Sequence, residues 1–513
     1  TRQVSSAASD VYKRQVENEQ NLRRLENIYP LTRGISLKDI KKIINGGKDF
    51  INNFDEWLNE RLISKYQFYS FEDSLKKIHF PDNLHEVDKK EVFRKRLAVD
   101  ELVSNYFAIR YLKEKTKKKL KSLNLNYSKQ AEIINLLPFQ LTNKQKTAIS
   151  DINKLNNSQY RETILLQGDV GSGKTIVALL SSIPFLNKNL QVAYMAPTEI
   201  LAQQIYENII TFVSNQDLRV VLLTGSTKDK NDIYSKISEN KFNFIVGTHA
   251  IFQENLEFNN LSYVIIDEQH RFGVQQRLFL AEKGIDTNIL LMSATPIPRT
   301  LALAQYGEIE QIIINERPAF QKPIITRVAD TSKINDLAIY LKKNVNELNQ
   351  AYWICPLVEA SDNLQYKDVD SRYKSLQKIF GENVQMLHGK MKSQEKELII
   401  NQFKKGIIKV LVATTVVEVG IDNKNANFIV IENAEKFGLS QLHQLRGRVG
   451  RGALQGYCFS IYGKDITETS TERLQIFKDN IDGFKLAEKD LEIRGTGDIL
   501  GYRQSGDSLF KFV

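Results

Sequence analysis

From about residue 137 the chain alternates two hydrophobic textures. Short continuous apolar runs, "ETILLQG", "LQVAYMAP", "LRVVLLTG", "FNFIVGTH", "LSYVIIDE" and "NILLMSAT", are separated by longer stretches such as "TIVALLSSIPFL" and "ILAQQIYENIITFV", in which apolar residues return at helical spacing. A strand exposed on one face alternates apolar and polar residues; a continuous run predicts a parallel strand covered by helices on both faces. A second series follows from Arg317: "PIITRVA", "QAYWICPL", "VQMLHG", "IKVLVATT", "NFIVIEN" and "GYCFSIY". The pattern predicts two α/β lobes of similar size, each a parallel sheet between helical layers.

Upstream the texture differs. Residues 1–16 are small, polar and aperiodic and are set aside as a tail. Residues 17–130 read as helical and charged, with "RKRLAVDELVSNYFAIRYL" carrying helix spacing. A lysine-dense stretch begins at Lys113; it reads first as a solvated helix end or linker, and second as a surface that contacts phosphates. No apolar run reaches membrane-spanning length, and no signal-peptide pattern opens the chain. Cys355 and Cys458 form no CxxC, which argues against a zinc site and fits a reducing cytoplasm. Net charge is +10, a balance that favours a polyanionic partner.

The chemistry starts after the first strand. "GDVGSGKT", residues 168–175, matches Gly-x-x-x-x-Gly-Lys-Thr between a strand and a helix, the context a phosphate-binding loop requires. Its residues Gly168, Asp169, Val170, Gly171, Ser172 and Gly173 can turn backbone N–H groups inward around phosphate oxygens. Lys174 is expected to reach the β- and γ-phosphates and the Thr175 hydroxyl to hold Mg²⁺. "YVIIDEQH" ends another strand in Asp267, expected to complete the Mg²⁺ site, and Glu268, expected to polarise the attacking water. ATP and Mg²⁺ are the cofactors this pattern predicts.

"QLHQLRGRVGRG" lies in the second lobe. Gln444, Arg448 and Arg451 are its candidate catalytic residues; the two arginines, three apart, are expected on one face of a helix, neutralising γ-phosphate charge in the transition state. If the loop is on one lobe and the arginines are on the other, ATP sits between them. Cleft closure would then drive stepping.

Taken in order, "LTNKQ", "GDVGSGKT", "APTEILAQQ", "LTGS", "GTHA", "DEQH", "SATPIPRT", "LHGKM", "ATTVVEVGID" and the arginine motif resemble superfamily-two helicases. The resemblance implies two tandem RecA-like lobes. It implies that Gln145 reads adenine with Phe139 stacking on it, and that His270, Ser293, Thr295, Glu418, Gly420 and Asp422 couple the lobes. It also implies that Thr198, Thr224, Gly225, Thr248 and His249 contact DNA phosphates.

Within that superfamily, "IYPLTRGIS", "LLQGDVGSGKT", "IDEQHRFGVQQR", "ATPIPRTLA" and "IENAEKFGLSQLHQLRGRVGRG" are similar to the RecG family of branch-migration helicases. "LEIRGTGDILGYRQSG" is a weak match to a dinucleotide fingerprint: a helix-like stretch precedes it and the glycines are spaced one residue too far. It resembles the translocation motif of that family, with Arg494, Arg503 and Gln504 as transmitting residues, and with Thr496 and Asp498 in place of the usual Pro and Glu. The expected division is a tail at 1–16, a helical segment at 17–130 following an absent wedge domain, lobe one at 131–316, lobe two at 317–465, and a truncated translocation region at 466–513. The resemblance implies double-stranded and branched DNA as partners, in recombination and repair, with a single-stranded-DNA-binding protein also expected. It implies a monomer in the bacterial cytoplasm at the nucleoid, with no membrane. A transcription-repair coupling motor and a non-translocating ATP-dependent scaffold are the alternative readings.

Overall fold

All six apolar runs of the first series and all six of the second form strands. The computed structural model describes residues 36–116, 123–160, 162–213, 218–253, 255–268, 287–294, 309–318, 321–356, 362–389, 391–414, 423–463 and 466–494, with Asn27 and Tyr29. The chain divides into two compact units, one reaching Leu112 and the other beginning at Lys113.

The first unit is helical among its described residues: α1 (Leu37–Gly46), α2 (Glu60–Tyr66), α3 (Phe71–His79), α4 (Leu84–Asp88) and α5 (Lys90–Thr116), which runs past the boundary. Ser36 starts α1 with a capping box that it shares with Asp39. Arg96, on α5, is fully buried and pairs with Glu56 at 2.7 Å and Asp100 at 3.0 Å. Glu56 also accepts the backbone N–H groups of Leu58 and Phe71, so one guanidinium organises three segments.

In the second unit, strands β1 (Thr163–Gly168), β2 (Gln191–Met195), β3 (Val220–Leu223), β4 (Phe244–Gly247), β5 (Leu261–Ile266), β6 (Asn288–Ser293) and β7 (Glu310–Ile314) form a sheet in the order β3-β4-β2-β5-β6-β1-β7. Every pairing is parallel. Strand β7 was not among the expected runs. It is an edge strand whose apolar run is only Ile312, Ile313 and Ile314, with Ile313 exposed between two buried neighbours. Ile164, Leu166, Tyr194 and Tyr263 bury into one face of the sheet, and Leu165, Ala193, Val264 and Ile266 into the other. Helices α6 (Ser128–Leu136), α7 (Asn143–Asn156), α8 (Lys174–Asn187), α9 (Glu199–Val213) and α10 (Lys230–Ser238) complete the lobe.

Helix α8 contains Pro184, which has no N–H for the carbonyl of Leu180. The buried Gln130 of α6 donates its amide to that oxygen at 2.8 Å and so satisfies the freed acceptor. Leu125 and Ile133 bury in the same core, so this helix belongs to lobe one.

Lobe two repeats the plan. Strands β8 (Ile325–Asp330), β9 (Gln350–Ile354), β10 (Val384–Leu387), β11 (Val410–Ala413), β12 (Ala426–Ile431) and β13 (Tyr457–Tyr462) form an all-parallel sheet in the order β10-β11-β9-β12-β13-β8. Helices α11 (Ile334–Asn344), α12 (Asp362–Phe380), α13 (Ser393–Lys404), α14 (Leu439–Arg446), α15 (Glu468–Asp479) and α16 (Gly483–Arg494) accompany it. No described helix is long and apolar enough to cross a membrane.

Candidate ATP site and nucleic-acid loops

In parallel sheets the loops at the carboxyl ends of the strands carry the ligands. The strand order sorts those of lobe one into two groups. The phosphate loop follows β1, Asp267 and Glu268 follow β5, and Ser293 ends β6, and these three strands are neighbours in the sheet. The segments "APTE", "LTGS" and "GTHA" follow β2, β3 and β4, the other three neighbours. One half of the sheet thus carries the nucleotide residues and the other half the expected DNA residues.

Gly171 and Gly173 both have φ of +83°, so the loop needs glycine at these two turns. At Gly168 a Cβ would lie 2.6 Å from Ser172 Oγ and 2.7 Å from the Ile314 carbonyl oxygen. The chain therefore closes into a tight cup at the start of α8. Lys174 Nζ donates to the carbonyls of Gly168 at 2.8 Å and Asp169 at 3.0 Å. Burial lowers the Lys174 ammonium from its ordinary pKa, and the nearby Glu268, Asp267 and Asp169 oppose that shift. This glycine cradle, with a buried lysine at its rim, fits a nucleotide triphosphate.

Asp267 and Glu268 sit beside it. Burial raises the Asp267 carboxyl, and the neighbouring Glu268 raises it further, against Lys174. Glu268 has φ of +50°, a left-handed conformation rare for a non-glycine residue, and its N–H donates to Asp267 Oδ1 at 3.0 Å. The fully buried Tyr194 hydroxyl faces Thr175 and Asp267. A buried carboxylate beside a hydroxyl at the mouth of the phosphate loop suits a hard divalent cation, so Asp267 and Thr175 fit Mg²⁺.

Gln145 is buried where α7 begins. Its Oε1 accepts the Thr142 N–H at 2.9 Å and its Nε2 donates to the Ser172 carbonyl at 2.9 Å. In this structure Gln145 braces the phosphate loop from behind. Phe139 is 41% exposed, so its ring is open to stacking.

Lobe two brings the arginines to the same place, with one correction. Arg448 and Arg451 are not on a helix face. Helix α14 ends at Arg446, and both residues follow in a turn containing Gly450 at φ +68°. Gly450 supplies the left-handed residue this turn needs, while Gly447 keeps a right-handed helical backbone. Arg448 acts electrostatically on Asp267 and Arg451 on Lys174, so the arginine turn and the phosphate loop form one charge cluster. Gln444 is buried on α14.

Four residues went unread in the sequence. His443 Nε2 donates to Asp169 Oδ1 at 3.0 Å, bridging the lobes, and Arg317 Nη2 reaches Asp169 Oδ2 at 3.3 Å. Arg446 Nη2 donates to His443 Nδ1 at 2.9 Å, and the guanidinium also donates to the carbonyls of Phe477, Asn480 and Ile481 and to Thr326 Oγ1. Because Nδ1 accepts, Nε2 carries the proton, so His443 is the neutral Nε2–H tautomer. At Gly483 a Cβ would lie 2.3 Å from Asp169 Oδ1 and 2.5 Å from His443 Nε2. Burial would raise the Asp169 carboxyl, but His443 and Arg317 hold it down at about 2. A lone histidine inside a basic motif gave no periodic signal; only its position beside Gln444 could have pointed to it.

The expected DNA loops are joined to one another. Glu199, next to Thr198, accepts from Ser226 N and Ser226 Oγ, both at 3.1 Å, linking "APTE" to "LTGS". Lys230 donates to the Gly225 carbonyl at 3.0 Å, and Thr224 Oγ1 lies 3.0 Å from Ser226 Oγ. Thr248 is buried and His249 exposed at the end of β4. His270, Thr295, Glu418, Gly420, Asp422, Arg503 and Gln504 lie outside the described residues, and Arg494 is the last residue of α16.

A phosphate loop, an acidic pair and an arginine turn on two tandem RecA-like lobes define an ATP-hydrolysing helicase core. In agreement, residues 142–304 match the DEAD/DEAH box helicase family and residues 332–453 the helicase conserved C-terminal domain. The ATP-dependent DNA helicase RecG of Borreliella burgdorferi is 41% identical over 98% of this chain and 73% of its own length; that of Thermotoga maritima is 41% identical over 96% and 63%. A solved structure of RecG bound to a three-way DNA junction aligns with 39% identity and a TM-score of 0.71, over 96% of this chain and 65% of that one. The chain belongs to the RecG family of ATP-dependent DNA helicases. It spans about six-tenths to three-quarters of the length of these relatives.

Proposed function

We propose that this chain is the motor of a branched-DNA translocase, coupling ATP hydrolysis to movement along duplex DNA at Holliday junctions and stalled forks. The observation that carries this reading is the meeting of the phosphate loop with the helix that leads into the arginine turn, through Asp169 and His443 at 3.0 Å. The junction-bound RecG structure supports the choice of branched DNA. In this reading Lys174 and the loop N–H groups bind the phosphates. Thr175 and Asp267 hold Mg²⁺, which when bound neutralises phosphate charge. Glu268 takes the proton of the attacking water, and Arg448 and Arg451 stabilise the charge on the transferring group. Gln444 orients the arginine turn. The "APTE", "LTGS" and "GTHA" loops hold the DNA backbone, which carries no sequence information. The protein works as a monomer at the bacterial nucleoid, with a single-stranded-DNA-binding protein as a further partner.

The test is ATP hydrolysis with no DNA, single strand, linear duplex and a four-way junction, beside Lys174→Ala. Stimulation by duplex and junction that disappears in the variant supports the reading. Hydrolysis indifferent to every DNA would instead support an ATP-dependent scaffold.

A further inference from the structure

Asp169 occupies a position in the phosphate loop where the general pattern asks for no particular side chain. Its carboxylate faces away from the loop interior, toward lobe two. One oxygen accepts from His443 and the other from Arg317 on the segment joining the lobes. The backbone carbonyl of the same residue accepts from Lys174 Nζ at 3.0 Å. The lysine that must turn to nucleotide phosphate and the side chain that holds lobe two therefore share one residue. On the far side, the tautomer of His443 is fixed by Arg446, and His443 lies four residues before Gly447, which touches Val170 of the loop. There is no slack in this arrangement. His443 is buried, and Gly483 packs against the pair with no room for a methyl group.

We propose that Asp169 and His443 are a pair of positioning residues that set the register of the arginine turn on the phosphate loop, so that a change at the loop is transmitted to Arg448 and Arg451. This rests on the reading of the site as an ATP-hydrolysing motor. The pair touches no reacting atom. It supplies a direct lobe-to-lobe hydrogen bond whose donor and acceptor are each fixed by a second partner. When Lys174 leaves the Asp169 carbonyl for a phosphate, the loop at residue 169 shifts and the imidazole follows. Losing the pair leaves the nucleotide cradle of lobe one intact but lets the arginine turn drift. A misplacement of about 1 Å near the reacting group lowers rate roughly a hundredfold. The expected signature is a fall in kcat with little change in KM.

The experiment measures DNA-stimulated ATP hydrolysis and equilibrium binding of a fluorescent non-hydrolysable ATP analogue for the wild type, His443→Ala, His443→Gln, Asp169→Ala and the double alanine variant. Circular dichroism establishes that each is folded. His443→Ala is expected to lose roughly ten- to a hundredfold in kcat and to keep analogue affinity within about twofold. His443→Gln, which keeps a donor toward Asp169, is expected to recover most of the rate. The double variant should be no slower than the slower single one, because the two residues act as a unit. Equal kcat in wild type and His443→Ala would overturn the proposal. So would losses that multiply in the double variant, or a His443→Ala defect confined to analogue affinity. A wild type that hydrolyses no ATP would overturn the motor reading, and this pair with it; an active wild type with indifferent variants would overturn the pair alone.

Discussion

Val170 of the phosphate loop and Gly447 of the arginine turn are in contact across the lobes, and a Cβ at position 447 would lie 2.5 Å from Val170 Cβ. Gly447 has φ of −67°, so its backbone suits any residue and the requirement is purely one of space. Gly447→Ala is therefore expected to fold normally and to push the arginines away from the phosphates. Removing one charge-stabilising group from such a site lowers rate about 10²- to 10³-fold, which sets the scale. Val170→Gly in the same chain should restore part of the loss. A Gly447→Ala enzyme with wild-type ATP hydrolysis would show that the contact has no bearing on the chemistry.

A second prediction concerns stability. Gln130 satisfies the Leu180 carbonyl that Pro184 leaves without a donor, and it also bonds to Asn153. Gln130→Leu buries that oxygen unpaired and should destabilise lobe one by about 2 kcal/mol. Pro184→Ala restores the helical N–H, so in that background Gln130→Leu should cost clearly less. Urea unfolding of the four proteins gives the coupling, and additive effects would mean that Gln130 does not act through the proline.

These two relationships show where sequence reading succeeds and stops. The twelve continuous apolar runs identified their strands because burial on both faces of a parallel sheet leaves a local signature. Strand β7 escaped because its apolar run is only three residues long and, at the sheet edge, Ile313 stays exposed. "GDVGSGKT" was legible because its chemistry is local: glycine turns, a lysine and a helix start, all within eight residues. The partners of Asp169 are 148 and 274 residues away, and nothing local marks them. The arginines were found, but their setting was misjudged. Spacing of three suits a helix face, yet the helix ends at Arg446 and the chain turns at Gly450, which has φ of +68°. The helix-like stretch before the glycines of "LEIRGTGDILGYRQSG" is α16.

Glu268 provides a third test, because its left-handed backbone puts strain at the residue proposed to activate the attacking water. Relieving such a conformation with glycine is worth about 1 kcal/mol. Glu268→Gly should raise the unfolding temperature of lobe one slightly while removing ATP hydrolysis. Glu268→Gln, which keeps the strain, should lose hydrolysis without the gain in stability. General-base removal is worth roughly 10² to 10⁴ in rate, so both variants are expected near the background. If Glu268→Gly is less stable than wild type, its backbone is not strained, and the carboxylate instead contributes to holding the fold.

The Asp169–His443 pair also fixes a pH dependence. Burial lowers the His443 pKa from its ordinary 6.5, with Arg446 and Arg317 adding to that effect and Asp169 opposing it. The groups facing it are Asp169 of the phosphate loop, Arg446 on its own helix and Arg317 between the lobes. The unfolded chain therefore binds the imidazole proton first, and stability falls as pH drops below about 6.5. Asp169 acts in a lower window. Its carboxyl is held at about 2 against an ordinary 3.8, so its contribution is complete above 3.8 and disappears as pH falls toward 2. Between about pH 7 and pH 4 the histidine dominates this pair. His443→Gln has nothing to titrate there, so its thermal unfolding temperature should decline less than that of the wild type between pH 8 and pH 5. Parallel curves for the two proteins would mean that His443 has the same proton affinity folded and unfolded, and would contradict a neutral imidazole locked between Arg446 and Asp169.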